Sequence, residues 1–309
     1  MNYNEKKRNF DKILKELSPY DEKCFGYVTA DGEIFDVYFE NKIWNEFCKE
    51  MLKDEKAYNA YALGSGGELK EKLKSNKKSL PPKMASIASS SRFIYCTFKD
   101  KNYYNKLSLI TNDLEKDGEF RFEDKLKIKN VSNATANLDA SYKTLDRHIY
   151  VEAKCHELFN THKILFSYAY LKGNALTGNY QYSLNIDEEY LIMNEMDVQV
   201  KGEAFGLSET ERLFLNVKQF ISHLLSIANT SVENKELIYL YFKPDKVIEF
   251  NEEYNILEQQ FASFCKSKYI SDFCKKNNIL IKLVYSTNDS YELEFKPKII
   301  QEYIYGSKE

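Results

Sequence analysis

The segment 137–157, NLDASYKTLDRHIYVEAKCHE, combines an apolar run with charged residues at alternate positions. Apolar residues at every second position from Ile149 to Ala153 indicate a β-strand with one buried face. Because successive side chains on a strand point to opposite faces, Glu152 and Lys154 lie side by side on the other face. The pattern therefore predicts a strand that carries a carboxylate next to a lysine, with Asp139 a short distance upstream.

Two carboxylates and a lysine in this order suit the chemistry of phosphate esters. Asp139 and Glu152 can bind a hard divalent cation, which polarises a phosphate and supplies hydroxide near neutral pH. Lys154 can orient the attacking water or offset the charge that develops on the phosphate oxygens. The alternative is a salt-bridged pair of Glu152 and Lys154 on the solvent face of an edge strand.

The order of these residues resembles the PD-(D/E)xK nuclease superfamily, whose pattern is an aspartate, a spacer and then Glu-x-Lys on the next strand. The flanking segments GGELKEKL and VEAKCHELF are similar to a restriction-endonuclease-like family within it. The proline of the pattern is absent, since Leu138 precedes Asp139. The resemblance implies an α/β fold with a mixed β-sheet flanked by helices, and a metal-dependent endodeoxyribonuclease of the type II restriction kind.

The resemblance also implies roles for individual residues. Asp139, Glu152 and the carbonyl of Ala153 would bind Mg²⁺, for which Mn²⁺ can substitute. Glu68 is similar to an acidic residue that the superfamily carries on its first core helix, where it can complete the metal site. Gln219 is similar to a glutamine on the helix after the Glu-x-Lys strand, near the catalytic residues.

Each of the outlying residues has a simpler interpretation. Glu68 can close a capping box at the start of its own helix, and Gln219 can be exposed to solvent. His223 could serve as a base, but one histidine without a positioned partner does not make a nucleophile system, so it is only a supporting residue.

The segment 70–92 is the most basic stretch of the chain, with six lysines and one arginine against a single glutamate. Lysine and serine side chains near a glycine-rich turn suit contacts to phosphate oxygens, which position DNA without reading its sequence. A solvated helix face and loop is the open alternative. The DNA contacts that we expect from this segment are Lys83, Ser89, Ser90, Ser91 and Arg92.

Composition narrows the class of protein further. The formal net charge of −3 provides no global basic field, so DNA must be bound by a local patch. There is no run of about 18 apolar residues and no apolar region after the lysine-rich amino terminus, which predicts neither a membrane span nor a signal peptide and hence a cytoplasmic protein. The six cysteines form no C-x-x-C pair, so we expect reduced and mostly buried thiols.

The chain is predicted to divide near residue 60, with an extension at 1–60 and the nuclease-like core at 61–309. The extension would consist of a helix at 4–17, a β-hairpin around Asp31 and Gly32 and a helix at 42–61. Alternating helices and strands in the core favour a mixed sheet with helices packed against it. The predicted elements of the core include a helix from near Glu68, a first strand at 92–98, a second strand at 120–128, a helix at 156–171 and a helix that begins with a capping box of Ser208 and Glu211.

Double-stranded DNA is the partner that the resemblance implies, while a homodimer and a cognate methyltransferase stay open. Two other functions also stay open: a catalytically silent nucleic-acid-binding protein that retains the nuclease fold, and an α/β scaffold that binds a protein partner. The presence of Asp139, Glu152 and Lys154 together favours the enzyme.

Overall fold

Helices and strands alternate along most of the computed structural model, which describes residues 3–30, 33–63, 67–73, 79–99, 102–208, 213–245, 248–287 and 290–305. The helices are α1 (Tyr3–Leu17), α2 (Asn41–Met51), α3 (Glu55–Leu63), α4 (Ser90–Phe98), α5 (Tyr103–Leu107), α6 (Tyr168–Lys172), α7 (Val217–Ala228), α8 (Asn251–Lys266) and α9 (Lys268–Asn277). The strands are β1 (Phe25–Ala30), β2 (Glu33–Phe39), β3 (Lys72–Leu73), β4 (Ser79–Leu80), β5 (Glu119–Lys127), β6 (Thr135–Lys143), β7 (Arg147–Lys154), β8 (Leu165–Ser167), β9 (Leu191–Met193), β10 (Asp197–Val200), β11 (Asn234–Phe242), β12 (Ile279–Ser286) and β13 (Pro297–Tyr303).

A six-stranded sheet with the order β13–β12–β11–β7–β6–β5 lies at the centre. Strands β5, β6 and β7 form an antiparallel meander, and β11 pairs in parallel with both β7 and β12. Helix α4 packs on one face, where Phe93 contacts Phe242, and α7 packs on the face that carries Glu152. The predicted α/β class, with a mixed sheet flanked by helices, is confirmed.

The amino-terminal elements share the hydrophobic core of the sheet. The predicted first helix and β-hairpin are present as α1 and the antiparallel pair of β1 and β2, and the turn at Asp31 and Gly32 lies outside the described residues. The helix expected at 42–61 is two helices, α2 and α3. The ring of Phe10 contacts those of Phe159 and Phe250, at centroid distances of 5.2 Å and 5.9 Å, so α1 packs against residues far along the chain.

The prediction of a first core strand at 92–98 is wrong, because this segment belongs to helix α4. The side chain of Ser89 accepts a hydrogen bond from the N–H of Arg92 at 3.2 Å and so caps the helix start. Every residue from Ser91 to Phe98 is buried. A helix that is buried all round has no amphipathic period, and its aromatic and β-branched residues look like those of a strand.

Three other predicted helices differ from the structure. No helix begins at Glu68, which lies in a bend before β3, and its proposed capping partner Ser65 is outside the described residues. The segment 156–171 holds a single 3₁₀ turn, the short strand β8 and the start of α6. Helix α7 begins at Val217 rather than near Ser208, since the side chain of Asn216 accepts the N–H of Gln219 at 3.1 Å and caps it; Glu211 is not described.

Arg92 is one of the largest fully buried side chains, with 1% of its surface exposed. Its Nε donates a hydrogen bond to Oε1 of Glu292 at 2.6 Å. Its guanidinium carbon lies 4.0 Å from the ring centre of Phe39 and 3.9 Å from that of Phe47. The expectation that Arg92 contacts DNA is therefore wrong, because the side chain joins the extension, α4 and the carboxyl-terminal region inside the core.

Replacing Arg92 with alanine should lower the free energy of unfolding by about 3 kcal/mol, because it leaves the Glu292 carboxylate without its buried partner. Urea denaturation measures this loss. The control is Lys83→Ala, which truncates a side chain that is 58% exposed and should change stability by about 0.5 kcal/mol or less. A loss of similar small size for both variants would contradict the structural role of Arg92.

Candidate metal-dependent active site

Asp139 and Glu152 occupy neighbouring positions where a β-ladder ends. The antiparallel pairing of β6 with β7 stops at Ala140 and Val151, so the next residues are Asp139 on one strand and Glu152 on the other. Instead of further backbone pairing, Oδ2 of Asp139 accepts a hydrogen bond from the N–H of Ala153 at 2.6 Å. The end of the ladder thus holds two carboxylates side by side.

Lys154 and Gln219 both bind the carboxylate of Glu152. The ammonium group of Lys154 donates a hydrogen bond to Oε1 of Glu152, and Nε2 of Gln219 donates to the same oxygen at 2.8 Å. Glu152 is only 3% exposed, and its strand β7 is interior to the sheet. The interpretation of this pair as a solvated edge-strand salt bridge is therefore wrong, and Gln219 is not simply exposed to solvent.

The site carries more negative than positive charge. Burial raises the pKa of Asp139 and Glu152, and for Asp139 the neighbouring charge of Glu152 raises it further. Burial alone would lower the pKa of Lys154, but the charges of Glu152, Glu157 and Asp139 outweigh it and raise this pKa above the ordinary value. Lys154 therefore remains an ammonium ion.

Glu123 is a residue of the site that the sequence interpretation missed. In the ladder between β5 and β6, Phe122 pairs with Ala140 and Asp124 with Leu138, which leaves Glu123 opposite Asp139. Burial first, and then the charges of Asp139, Glu68 and Glu152, raise the pKa of Glu123 to about 8. The signal was an acidic residue on the preceding strand, but the strand register needed to interpret it was not known.

Glu68 is 5% exposed and lies outside any helix, so it does not occupy the predicted position on the first core helix. Its Oε1 is 3.6 Å from Nζ of Lys83, while its Oε2 is buried without a hydrogen-bond partner. An acidic oxygen in that state is able to accept a cation or a water.

His223 is a buried neighbour of Glu152 rather than a base. Its Nδ1 is 3.0 Å from the hydroxyl of Tyr239, and its Nε2 is 3.6 Å from Oε2 of Glu152. Burial, with the charge of Lys154, lowers the pKa of His223 to about 3. A histidine that stays neutral in this way supports the position of Glu152 but does not take up a proton near pH 7.

The proposed DNA-contact segment retains fewer accessible residues than expected. Ser89 caps α4 and is 7% exposed, and Ser91 is 8% exposed, so neither is available to a phosphate. Lys83 is exposed and Ser90 partly exposed, while residues 74–78 lie outside the described part of the chain. The contacts that stay as predictions are therefore Lys83 and Ser90.

A pocket of about 130 Å³ opens beside Lys154 and Gln219. Glu157 lines it, as does Tyr3 from the amino-terminal helix α1. Larger cavities of about 390, 430 and 310 Å³ are lined by neither Lys154 nor Gln219. The small pocket therefore provides access from solvent to the lysine of the site.

Asp139 and Glu152 provide carboxylate oxygens, which are the ligands that Mg²⁺ prefers. Among the described residues, no three histidine, cysteine, aspartate or glutamate side chains are arranged to hold a metal ion. Mg²⁺ usually keeps several waters and binds through one or two carboxylates. Asp139 and Glu152, with the Ala153 carbonyl, meet that requirement, and the unpartnered oxygen of Glu68 lies among the same group of acids.

Comparisons with protein-family models, curated proteins and solved structures find no match for this chain. In the part of the chain that the structure describes, every helix is too short or too polar to cross a lipid bilayer. All six cysteines are free thiols, and four of them are buried. The function must therefore be inferred from the geometry of the site.

The stability of the metal-free protein should fall as the pH rises from about 5 to about 8. The pKa of Glu123 is raised from 4.5 to about 8 on folding, so its contribution is complete below pH 4.5 and is lost as the pH passes through about 8. Asp139 and Glu152 act in the same direction.

Melting temperatures measured in EDTA across this range test the expectation. Glu123→Gln should depend less steeply on pH than the wild type. The control Glu119→Gln, at an exposed position of the same strand, should behave like the wild type. Equal slopes for all three proteins would contradict the assigned environment of Glu123.

Proposed function

We propose that this chain is a metal-dependent endodeoxyribonuclease with a restriction-endonuclease-like core, which hydrolyses phosphodiester bonds in double-stranded DNA. The observation that carries the proposal is the end of the β6–β7 ladder, where Asp139 and Glu152 stand side by side and Lys154 binds Glu152. The strand of Asp139 leads directly into the Glu-x-Lys strand. The helix of Gln219, α7, follows later in the chain, after strands β8 to β10. This order supports the resemblance to the PD-(D/E)xK superfamily.

Asp139, Glu152 and the carbonyl of Ala153 would hold Mg²⁺, or Mn²⁺ in its place. The bound ion would polarise the phosphate and supply hydroxide near neutral pH. Lys154, kept protonated by the surrounding acids, acts as a positive charge that orients the attacking water or stabilises charge on the phosphate oxygens. Gln219 fixes one oxygen of Glu152 and leaves Oε2 for other partners.

Lys83 supplies an exposed positive charge next to the acidic group, since its Nζ is 3.6 Å from Glu68. In a chain with a net charge of −3, such a local charge offsets the repulsion between the acids and a DNA backbone. Cutting both strands symmetrically would call for two copies of the chain, one for each strand.

A catalytically silent DNA-binding protein is the second candidate. It is favoured by the internal contacts of the acids, because Asp139 binds a backbone N–H and Glu152 binds Lys154 and Gln219. In that case the acids would serve the stability of the sheet, and DNA would be bound but not cut.

A magnesium titration with supercoiled plasmid distinguishes these functions. The wild type should nick or linearise the plasmid only when Mg²⁺ or Mn²⁺ is present. Asp139→Asn and Lys154→Met should each lower the cleavage rate at least about a hundredfold, because each removes a group that acts on the phosphate.

Matched controls are Asp117→Asn and Lys163→Met, which alter exposed residues of the same types. Both should cut at the wild-type rate, and all four variants should still bind DNA in a gel-shift assay. Cleavage that survives in Asp139→Asn and Lys154→Met would refute the active site. Salt-sensitive DNA binding by a wild type that never cuts would support the silent protein instead.

A further inference from the structure

Glu123 has a backbone conformation that is unusual for a glutamate inside a β-strand. Its φ is +51°, although it lies inside strand β5. Every other described non-glycine residue with positive φ is an asparagine or an aspartate, the types that adopt this conformation most readily. A longer side chain held in this region of φ is a sign that surrounding structure or function requires it.

The register of β5 against β6 places the carboxylate of Glu123 opposite Asp139. The residues before and after Glu123 pair regularly with β6, so the register is kept and only this position leaves the ladder. The charges of Asp139, Glu68 and Glu152 all raise the pKa of Glu123, and the charge of Lys125 lowers it. Glu123 therefore lies among other acids, in a region where Lys154 is bound to Glu152.

The carboxylate of Glu68 provides an independent observation. Glu68 is more than nine-tenths buried, and its Oε2 has no hydrogen-bond partner. The exposed Lys83 approaches only its other oxygen, at 3.6 Å. Leaving a buried carboxylate oxygen without a partner is costly, and a hydrated cation would supply that partner.

The first core helix cannot supply a carboxylate to the site. Helix α4, which precedes the meander, has the sequence SSRFIYCTF and contains no acidic residue. From the family resemblance we expected this acid to be Glu68, on a helix that begins near that residue. In this chain Glu123 lies opposite Asp139 on strand β5, and the charge of Glu68, in the bend before β3, acts on Glu123.

We propose that Glu123, on strand β5, is a further ligand of the divalent cation together with Glu68. The inference rests on the proposed function for the presence of a cation at Asp139, but not on DNA cleavage. Since no three acids converge among the described residues, binding involves a rotation of the Glu123 side chain toward the ion. The positive φ and the missing ladder pair set Glu123 apart from the regular pairing of β5 with β6.

Mn²⁺ binding to the metal-free protein tests this role, with free Mn²⁺ measured by electron paramagnetic resonance. Glu123→Gln and Glu68→Gln should each weaken the tightest site at least about tenfold. The matched control Glu119→Gln changes an exposed glutamate four positions earlier in the same strand, and should stay within about twofold of the wild type. Wild-type affinity in Glu123→Gln would overturn the proposal.

The variant Glu123→Asn controls for misfolding as a cause of lost Mn²⁺ affinity, because asparagine adopts positive φ more readily than glutamate. This variant should be at least as stable as the wild type in EDTA, by circular dichroism melting, and should still lose Mn²⁺ affinity. A stable Glu123→Asn protein with wild-type affinity would also overturn the proposal.

Plasmid cleavage by the same preparations separates this inference from the proposed function. If the wild type cuts no DNA but Glu123→Gln weakens Mn²⁺ binding, the nuclease proposal fails and the ligand role stands. If the wild type cuts DNA in Mg²⁺ and Glu123→Gln binds Mn²⁺ normally, the nuclease proposal stands and the ligand role fails.

Discussion

The hydrogen bond from the N–H of Ala153 to the carboxylate of Asp139 determines the arrangement of the site. A backbone N–H in the middle of a sheet needs an acceptor, and here a side chain replaces the carbonyl of a neighbouring strand. The bond therefore ends the pairing of β6 with β7 and fixes one oxygen of Asp139. Because β7 continues to pair with β11 past this point, Glu152 and Lys154 stay in the sheet while β6 departs.

Because Glu152 is buried, its carboxylate depends on hydrogen bonds from neighbouring side chains. An ionised carboxylate that is removed from water must be paired, and Lys154 and Gln219 both supply donors to it. Gln219 and His223 are four residues apart on α7, so they lie on the same side of the helix and face the same strand. The cap at Asn216 sets where this helix begins and hence which of its residues meet Glu152.

Long-range packing supports the sheet on its other face. The guanidinium of Arg92 lies between two aromatic rings of the amino-terminal elements and binds a glutamate near the carboxyl terminus. The N-terminal helix α1 reaches the small pocket beside Lys154 through Tyr3. The residues predicted as an extension thus contribute both to the core and to the surroundings of the site.

Local patterns in the sequence were sufficient for several features. Alternation of apolar and charged residues predicted that Glu152 and Lys154 share one face of a strand, and the short link before it brought Asp139 onto the neighbouring strand. The amphipathic spacing of Phe10 and Leu14 predicted α1. These features depend on residues that are close in the chain, so the period of the side chains determines them.

Tertiary structure alone decided the rest. Residues 90–98 form a helix that is buried on all sides, so no period distinguished it from a strand, and Arg92 is neutralised by a residue 200 positions away. The place of Glu123 opposite Asp139 depends on strand register and on a backbone distortion that its own residue type does not favour. Such features depend on contacts between segments that are distant in the sequence, where burial, charge and backbone conformation act together. The local pattern of side chains along the sequence carries no information about those contacts.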